Sequence, residues 1–301
     1  MIRIGARGCS CAGYLVPPIL VLGWGHTDMS IDFERIMREQ TSTVRAFNAE
    51  LVCLKDERIA TNLSRNGIYE RTQTAMVPQF ARFGSNVFDV GANIGYYSVF
   101  LSTLVGVPGR VHAFEANPVT AGFLSATKER NGLDNLIVNN LAVSDSSKPL
   151  MVSYDPDFET ARDKDKFNLG AWSLFRRKPG NLRVDCVTLD EYCDRHELTD
   201  VSFIKIDVQG LEENVLRGAK ATMKKLKPVV MVEFNAKTPL SHDLNMHVME
   251  LLLDYGYLVA RIMGGRYPYL RKLRPQDYET IPYGFYVIGL EPKGGKLVHD
   301  D

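Results

Sequence analysis

Four short segments carry residues of types that could bind or catalyse. Asp89-Val90-Gly91-Ala92-Asn93-Ile94-Gly95 lies between an apolar run and a helical stretch. A glycine turn that opens a helix brings backbone N–H groups and the positive helix end against a ligand. The spacing is G-x-x-x-G with an acid two places ahead, not the G-x-G-x-x-G of a dinucleotide fingerprint. A carboxylate at that point repels a pyrophosphate and suits a ligand bearing an ammonium or sulfonium charge. Asp89, Gly91, Asn93 and Gly95 are therefore candidate binding residues. Glu115 follows Gly91 by 24 residues, in His112-Ala113-Phe114-Glu115-Ala116-Asn117-Pro118. A carboxylate at this offset can accept both hydroxyls of a ribose, and Asn117 shares its turn. In Asn140-Leu141-Ala142-Val143-Ser144-Asp145, Ala142 and its neighbours could lie against an adenine ring, although core packing is the better explanation of each residue singly.

Phe203-Ile204-Lys205-Ile206-Asp207-Val208-Gln209-Gly210-Leu211-Glu212 supplies the fourth segment. Asp207 closes a central strand, where open α/β sheets place their ligands. Lys205 shares its face two residues earlier, and a lysine inside a buried parallel strand is costly unless paired. Glu233, late in the neighbouring strand, is a candidate partner. A structural ion pair and a catalytic role account equally for Lys205 and Glu233.

These segments need a sheet to hold them. From Asn86 onward short apolar runs alternate with helical stretches, the pattern of βαβ units. Strands are expected at Val87 to Val90, Arg110 to Phe114, Leu136 to Ala142, Phe203 to Asp207, Val229 to Phe234, Tyr257 to Ile262 and Phe285 to Gly289. Helices are expected near Gly95 to Val105, Val119 to Asn131, Glu212 to Lys225 and Asp243 to Tyr255. Residues 145 to 185 break the alternation as a polar excursion, flanked by antiparallel strands near Leu150 to Ser153 and Leu182 to Val187. Residues 29–85 form an N-terminal cap: a helix from Ser30 through Phe33, Ile36, Met37 and Val44, a hairpin over 50–63 turning at Lys55-Asp56-Glu57, and a helix over Glu70 to Phe83. Residues 86–290 form the main domain and 291–301 a tail.

The uncharged run from Gly8 to Gly25 is broken by Pro17 and Pro18, and its apolar part covers only Tyr14 to Trp24. It reads as neither anchor nor signal. Met29 opens a more ordinary start, so residues 1–28 are expected to be an extension. The chain has 301 residues, with 36 basic and 36 acidic residues and a formal net charge of zero, which leaves no global field for a nucleic-acid backbone or an anionic membrane. Hydrophobic residues at 45% and charged residues at 24% mark a globular chain with a sizeable core. The cysteines Cys9, Cys11, Cys53, Cys186 and Cys193 include no Cys-x-x-Cys pair and read as free thiols of a reducing, cytoplasmic compartment.

Taken together, Val87-Phe88-Asp89-Val90-Gly91-Ala92-Asn93-Ile94-Gly95-Tyr96-Tyr97-Ser98, Phe114-Glu115-Ala116-Asn117-Pro118 and Ile204-Lys205-Ile206-Asp207-Val208-Gln209-Gly210-Leu211-Glu212, with Val215-Leu216-Arg217-Gly218-Ala219 behind, resemble the FkbM-type S-adenosylmethionine-dependent methyltransferases. The resemblance covers about residues 66–235, including Gly67-Ile68-Tyr69-Glu70, and is looser at Asn168-Leu169-Gly170-Ala171-Trp172-Ser173-Leu174. It implies the class I methyltransferase fold, a Rossmann-like α/β sheet of seven strands with the last antiparallel. It also implies S-adenosyl-L-methionine as cofactor and methylation of an oxygen, often a hydroxyl of a sugar or natural product. By analogy Asp89, Gly91, Asn93 and Gly95 line the methionine end and Glu115 the ribose. An alcohol must lose a proton, so Asp207, Glu212 and Glu233 are candidate bases alongside Lys205. Where the family often has Glu, this chain has Gln209, which puts a base at that position in doubt. His112 is expected to be structural.

Arg261, Arg266, Arg271, Lys272 and Arg274, with Tyr267 and Tyr269, crowd the segment joining strands six and seven. They could ring the substrate entrance and favour an anionic small-molecule or glycan acceptor, or form a solvated basic loop. No nucleic-acid partner, stable membrane insertion or metal is expected, and the oligomeric state is left open. An NAD-dependent oxidoreductase, or a non-catalytic binding protein on the same fold, are the rival readings.

Overall fold

The computed structural model describes residues 41–55, 57–152, 182–234, 239–265, 267–274, 277, 285–291 and 298–299. Contacts divide the chain into Met1–Thr41 and Ser42–Asp301, and the second unit is the one described. The extension at 1–28, Ser30, Phe33, Ile36, Met37, the middle of the excursion and Arg266 lie outside the described residues.

Two parts of the expected cap are corrected. Val44 lies in strand β1 (Thr41–Ala46), so no helix runs through it, and β1 turns at Phe47 and Asn48 into β2 (Ala49–Leu54). The hairpin thus precedes Lys55, and helix α1 (Arg58–Asn66) occupies the place given to its second strand. Ile59, Ala60 and Leu63 are the buried positions of α1, a 3.6-residue spacing. Glu57 caps this helix, its Oε2 accepting from the Ala60 N–H at 3.0 Å. Side chains of the later α4 (Pro118–Arg130) satisfy the outer edge of β2: Thr127 Oγ1 accepts from Val52 N at 2.9 Å, and Asn131 bonds both ways with the Glu50 backbone.

Burial raises the fully buried Glu57 carboxyl from 4.5 to about 7, outweighing its backbone hydrogen bonds. The folded chain therefore keeps a proton there that the unfolded chain releases. This contribution to stability is complete below pH 4.5 and is lost as pH rises through 7. A Glu57→Gln variant should lack that slope, the difference from wild type changing by on the order of 2–3 kcal/mol between pH 4.5 and 8 in urea unfolding. Parallel pH profiles for the two proteins would refute the assignment.

In place of one helix over 70–83 stand α2 (Arg71–Met76) and a 3₁₀ turn over Val77–Gln79. Pro78, which has no N–H to donate, stops the α-helical ladder there. The sheet then begins with β3 (Asn86–Val90), followed by α3 (Tyr96–Val105), β4 (Arg110–Phe114), α4 and β5 (Leu136–Asn139). β5 ends before the expected Ala142, because Asn140 Nδ2 donates to the carbonyls of Glu115 and Ala116 and turns the chain. Ala142 instead sits in β6 (Ala142–Val143). The excursion leaves through β7 (Leu150–Val152) and returns through β8 (Leu182–Val184), an antiparallel pair as expected, and β9 (Cys186–Val187) pairs with β6.

After α5 (Leu189–Arg195) come β10 (Val201–Ile206), α6 (Glu212–Arg217), α7 (Lys220–Leu226), β11 (Val229–Phe234), α8 (Pro239–Asp254), β12 (Leu258–Met263), β13 (Tyr269–Lys272), β14 (Phe285–Leu290) and β15 (Val298–His299). One helix was expected over 212–225. It is split at Gly218, where a Cβ would lie 2.1 Å from the Ser144 carbonyl oxygen.

The sheet order is β15-β13-β12-β14-β11-β10-β3-β4-β5. Seven of these nine strands reproduce the implied class I methyltransferase sheet, with β14 antiparallel between β11 and β12. β13 and β15 extend the edge beyond it. The central strands read as near-continuous apolar runs because helices cover both faces. One face packs Phe88, Val90, Phe114, Ile204, Ile206 and Val232 against residues of α5 to α8. Two of the polar exceptions inside these strands, Asp89 and Lys205, stand in register on β3 and β10.

Candidate active site

Gly91 ends β3 at φ 77°, and a Cβ there would fall 1.8 Å from the Asp207 carbonyl oxygen. Only glycine lets the ends of β3 and β10 meet this closely. Gly95, at φ 95°, opens α3, and a Cβ on it would lie 2.5 Å from Leu124 Cδ1. Between them Asn93 adopts φ 53°, its Oδ1 accepting from Ile94 N at 2.7 Å. Its own N–H donates to Glu115 Oε2 at 2.9 Å, while Glu115 Oε1 accepts from Asn117 N at 2.8 Å. Glu115 thus ties the glycine turn to the start of α4, which Asn117 Oδ1 caps through Val119 N and Thr120 N. Burial raises the Glu115 carboxyl to about 7 despite these amides.

Lys205 is corrected in its partners. It does pair, but the ion pairs at its Nζ are with Asp89 Oδ1 at 3.4 Å and Asp207 Oδ2 at 3.8 Å, and Nζ donates to the Gly91 carbonyl at 3.1 Å. Glu233 adds only to the surrounding field. Lys205 is 3% exposed and Asp89 fully buried. Burial works against the ammonium, yet Asp89 and Asp207 hold its pKa above the ordinary value. Ser98 Oγ donates to Asp89 Oδ2 at 2.6 Å, so Asp89 reaches a ligand only through the lysine it neutralises. The Tyr97 ring centroid lies 5.3 Å from Nζ.

Asp207 is partly open at the sheet end. Burial alone would raise its carboxyl, but Lys205, with hydrogen bonds from Gln209 at 2.8 Å and Tyr286 at 3.3 Å, brings it below the usual value. Gln209 Nε2 spans Asp207 Oδ1 at 2.8 Å and Glu233 Oε2 at 3.1 Å. A glutamate at 209 would set a third negative charge between these two, so the neutral amide holds two carboxylates together.

A residue outside every candidate set joins them. Glu70 takes φ 45° and, rather than capping α2, accepts from Tyr97 Oη at 2.7 Å. The Tyr286 hydroxyl, which donates to Asp207 Oδ2 at 3.3 Å, also bears on it, and burial followed by the charge of Asp207 raises its carboxyl above the ordinary value. Its trace in the sequence was Gly67-Ile68-Tyr69-Glu70 ahead of the first strand, with nothing in the spacing to aim it at Asp207.

Other candidates stand apart. Glu212 is buried and accepts from the N–H groups of Val208 and Gly210 at 2.9–3.2 Å, clamping the turn after Asp207. His112 bonds Tyr192 and Asn86 inside the core, and burial lowers its pKa to about 4. Ala142 is buried in β6. Arg261 faces Arg271 across β12 and β13 and stands in register with Val287 and Val232, one residue out of step with Tyr286 and Glu233. Alternation puts these arginines on the other face of the sheet, and Arg271 lies 3.9 Å from Asp277. They therefore do not ring the Asp207 end. Tyr267 and Tyr269, 79% and 41% exposed, do lie at that end, beside the β12–β13 tip. Among the described residues no His/Cys/Asp/Glu group is arranged for a metal.

The family model described as Methyltransferase FkbM domain matches residues 89–259, more than half of the chain. The chain belongs to the FkbM methyltransferase family. A curated relative, "Hexuronic acid methyltransferase AglP" of Haloferax volcanii, is 27% identical over 150 residues, covering 50% of this chain and 56% of that protein. The chain thus spans about half the length of the curated relative it matches. Among solved structures, the FkbM methyltransferase of Methylobacillus flagellatus KT aligns with TM-score 0.42 and 18% identity over 77% of this chain and 48% of that one. The O-methyltransferase of Bacillus cereus aligns with TM-score 0.42 and 13% identity over 77% and 86%.

S-adenosylmethionine is the cofactor of this FkbM methyltransferase family, and the residues present fit it. Gly95 opens α3 without a side-chain cap, which leaves the positive helix end for a ligand, and Glu115, tied to this turn through Asn93 N, stands at the offset expected of a ribose-binding carboxylate. Asp89 and Asp207 outweigh the single positive charge of Lys205, which suits a cationic donor.

Proposed function

We propose that this protein transfers the methyl group of S-adenosylmethionine to a hydroxyl oxygen of a sugar acceptor, with a uronic acid as the acceptor class. The observation that carries this reading is the meeting of the glycine turn at Gly91 with Asp207, Gln209 and Glu233 at one sheet end. Bound there, the cofactor would supply an electrophilic methyl group. The chain's part is to hold it through Gly91, Asn93, Gly95 and Glu115, and to set an acceptor oxygen in line, which lowers the barrier by orientation alone. Lys205 keeps Asp207 ionised. The exposed rings of Tyr267 and Tyr269 offer a stacking surface for a sugar at the same end. Support for the acceptor comes from the relative named for a hexuronic acid. The donor is made in the cytosol, so the reading places the protein in the cytoplasm. No helix of the described residues is long and apolar enough to cross a membrane.

The test is incubation with S-adenosylmethionine and glucuronic acid or its glycosides, followed by mass spectrometry for one added methyl group on oxygen. Glu115→Ala should weaken S-adenosylhomocysteine binding at least tenfold, about 1.4 kcal/mol, by calorimetry. Binding of NADH in place of S-adenosylhomocysteine by the wild type would overturn the reading in favour of an oxidoreductase.

A further inference from the structure

Glu70 enters the site from the N-terminal segment in a left-handed conformation that costs a non-glycine residue free energy. Its helix gains no side-chain cap in return. What the geometry secures is a carboxylate surrounded by every element of the site. Tyr97 of α3 donates to it and also lies over Lys205 Nζ, Tyr286 of β14 donates to the neighbouring Asp207, and Asp207 and Lys205 at the end of β10 act on it with opposite sign. Tyr69 precedes it, in the field of Glu70, Asp207 and Glu233. Three carboxylates and one ammonium compete here for protons.

We propose that Glu70 accepts the proton of the acceptor hydroxyl, and that in the free protein it carries a proton which the cationic methyl donor displaces on binding. This rests on the proposed methyl transfer. The acceptor oxygen forms the new C–O bond as the donor's C–S bond breaks. The electron pair of that bond stays on sulfur, and the hydroxyl proton passes to a Glu70 oxygen. A sulfonium charge and a carboxylate charge vanish in the same step, so the site's net charge is the same before and after, in surroundings too buried to tolerate a change. Asp207 is the wrong group for this, because Lys205 and its hydrogen bonds keep it ionised and weakly basic. Burial and Asp207 push Glu70 the other way, and two carboxylates driven apart in this fashion take different roles.

Linkage makes the idea measurable without an acceptor. S-adenosylmethionine carries the sulfonium charge and S-adenosylhomocysteine lacks it. Calorimetric titrations of each ligand, in two buffers of different ionisation enthalpy between pH 5 and 8, count protons released on binding. We expect the wild type to release more protons with S-adenosylmethionine, by up to about one, with the excess abolished in Glu70→Gln and retained in Glu70→Asp and Glu233→Gln. Tyr97→Phe removes a donor to the charged form and should move the excess to higher pH, so the idea stays testable if Glu70→Gln misfolds. Equal proton counts for the two ligands, or an excess lost in Glu233→Gln but kept in Glu70→Gln, would overturn it. Failure of the wild type to bind either ligand would overturn the methyltransferase reading as well, a distinct result.

Discussion

A Lys205→Ala variant should lose roughly 3–5 kcal/mol of stability, because it strands the Asp89 carboxylate in the interior with Ser98 as its remaining hydrogen-bond donor. For a domain of this size that is a fall in melting temperature of roughly 10 °C or more. The ammonium also holds the Gly91 carbonyl and Asp207, so one substitution loosens three points at the sheet end. A buried ion pair is not of itself a gain; the cost lies in removing one partner alone. Adding Asp89→Asn should therefore recover part of the loss, giving a coupling of about 1 kcal/mol or more in a double-mutant cycle. Thermal unfolding of the two singles and the double decides it. A Lys205→Ala protein that melts within about 3 °C of wild type would show that Asp89 does not depend on this lysine.

Gly91→Ala should be comparably severe for a different reason. A Cβ 1.8 Å from the Asp207 carbonyl oxygen meets backbone, which cannot swing aside as a side-chain tip can. Relief requires β3 and β10 to separate at the point proposed to hold the cofactor. The left-handed φ of 77° adds about 1–2 kcal/mol of its own. We expect a loss of roughly 3 kcal/mol or more in stability and at least a hundredfold, about 2.7 kcal/mol, in S-adenosylhomocysteine affinity. Gly67→Ala is the control, since Gly67 shares a positive φ of 70° but a Cβ there meets nothing within 4 Å. It should show the conformational cost alone, with cofactor affinity unchanged. Wild-type affinity and stability in Gly91→Ala would mean that the strand ends are not locked together.

Much of this was legible in the residues themselves. The apolar runs marked β3, β4, β10, β11, β12 and β14 because buried parallel strands leave little room for polar side chains. Asp89 and Lys205 were conspicuous for the same reason. The cap was misread where alternation and helical spacing overlap: Ile59 and Leu63 fit a helix face, and the capping role of Glu57 is plain only once the helix is in place. Pro78 and Gly218 ended helices earlier than periodicity suggested, through a missing donor and a close backbone approach.

By itself, the sequence determined the sheet, the glycine turn and the identity of the charged residues near it, since these follow from local spacing and the cost of burying charge. The tertiary structure alone decided which charges meet. Lys205 turned to Asp89 rather than Glu233 because Asp89 stands directly opposite it on β3, whereas its opposite on β11 is Met231 and Glu233 lies two residues further along. Arg261 and Arg271 turned away from the site by strand alternation. Glu70 joined Asp207 although 137 residues separate them in sequence, and no local spacing encodes a contact made by packing a preceding segment against the sheet end.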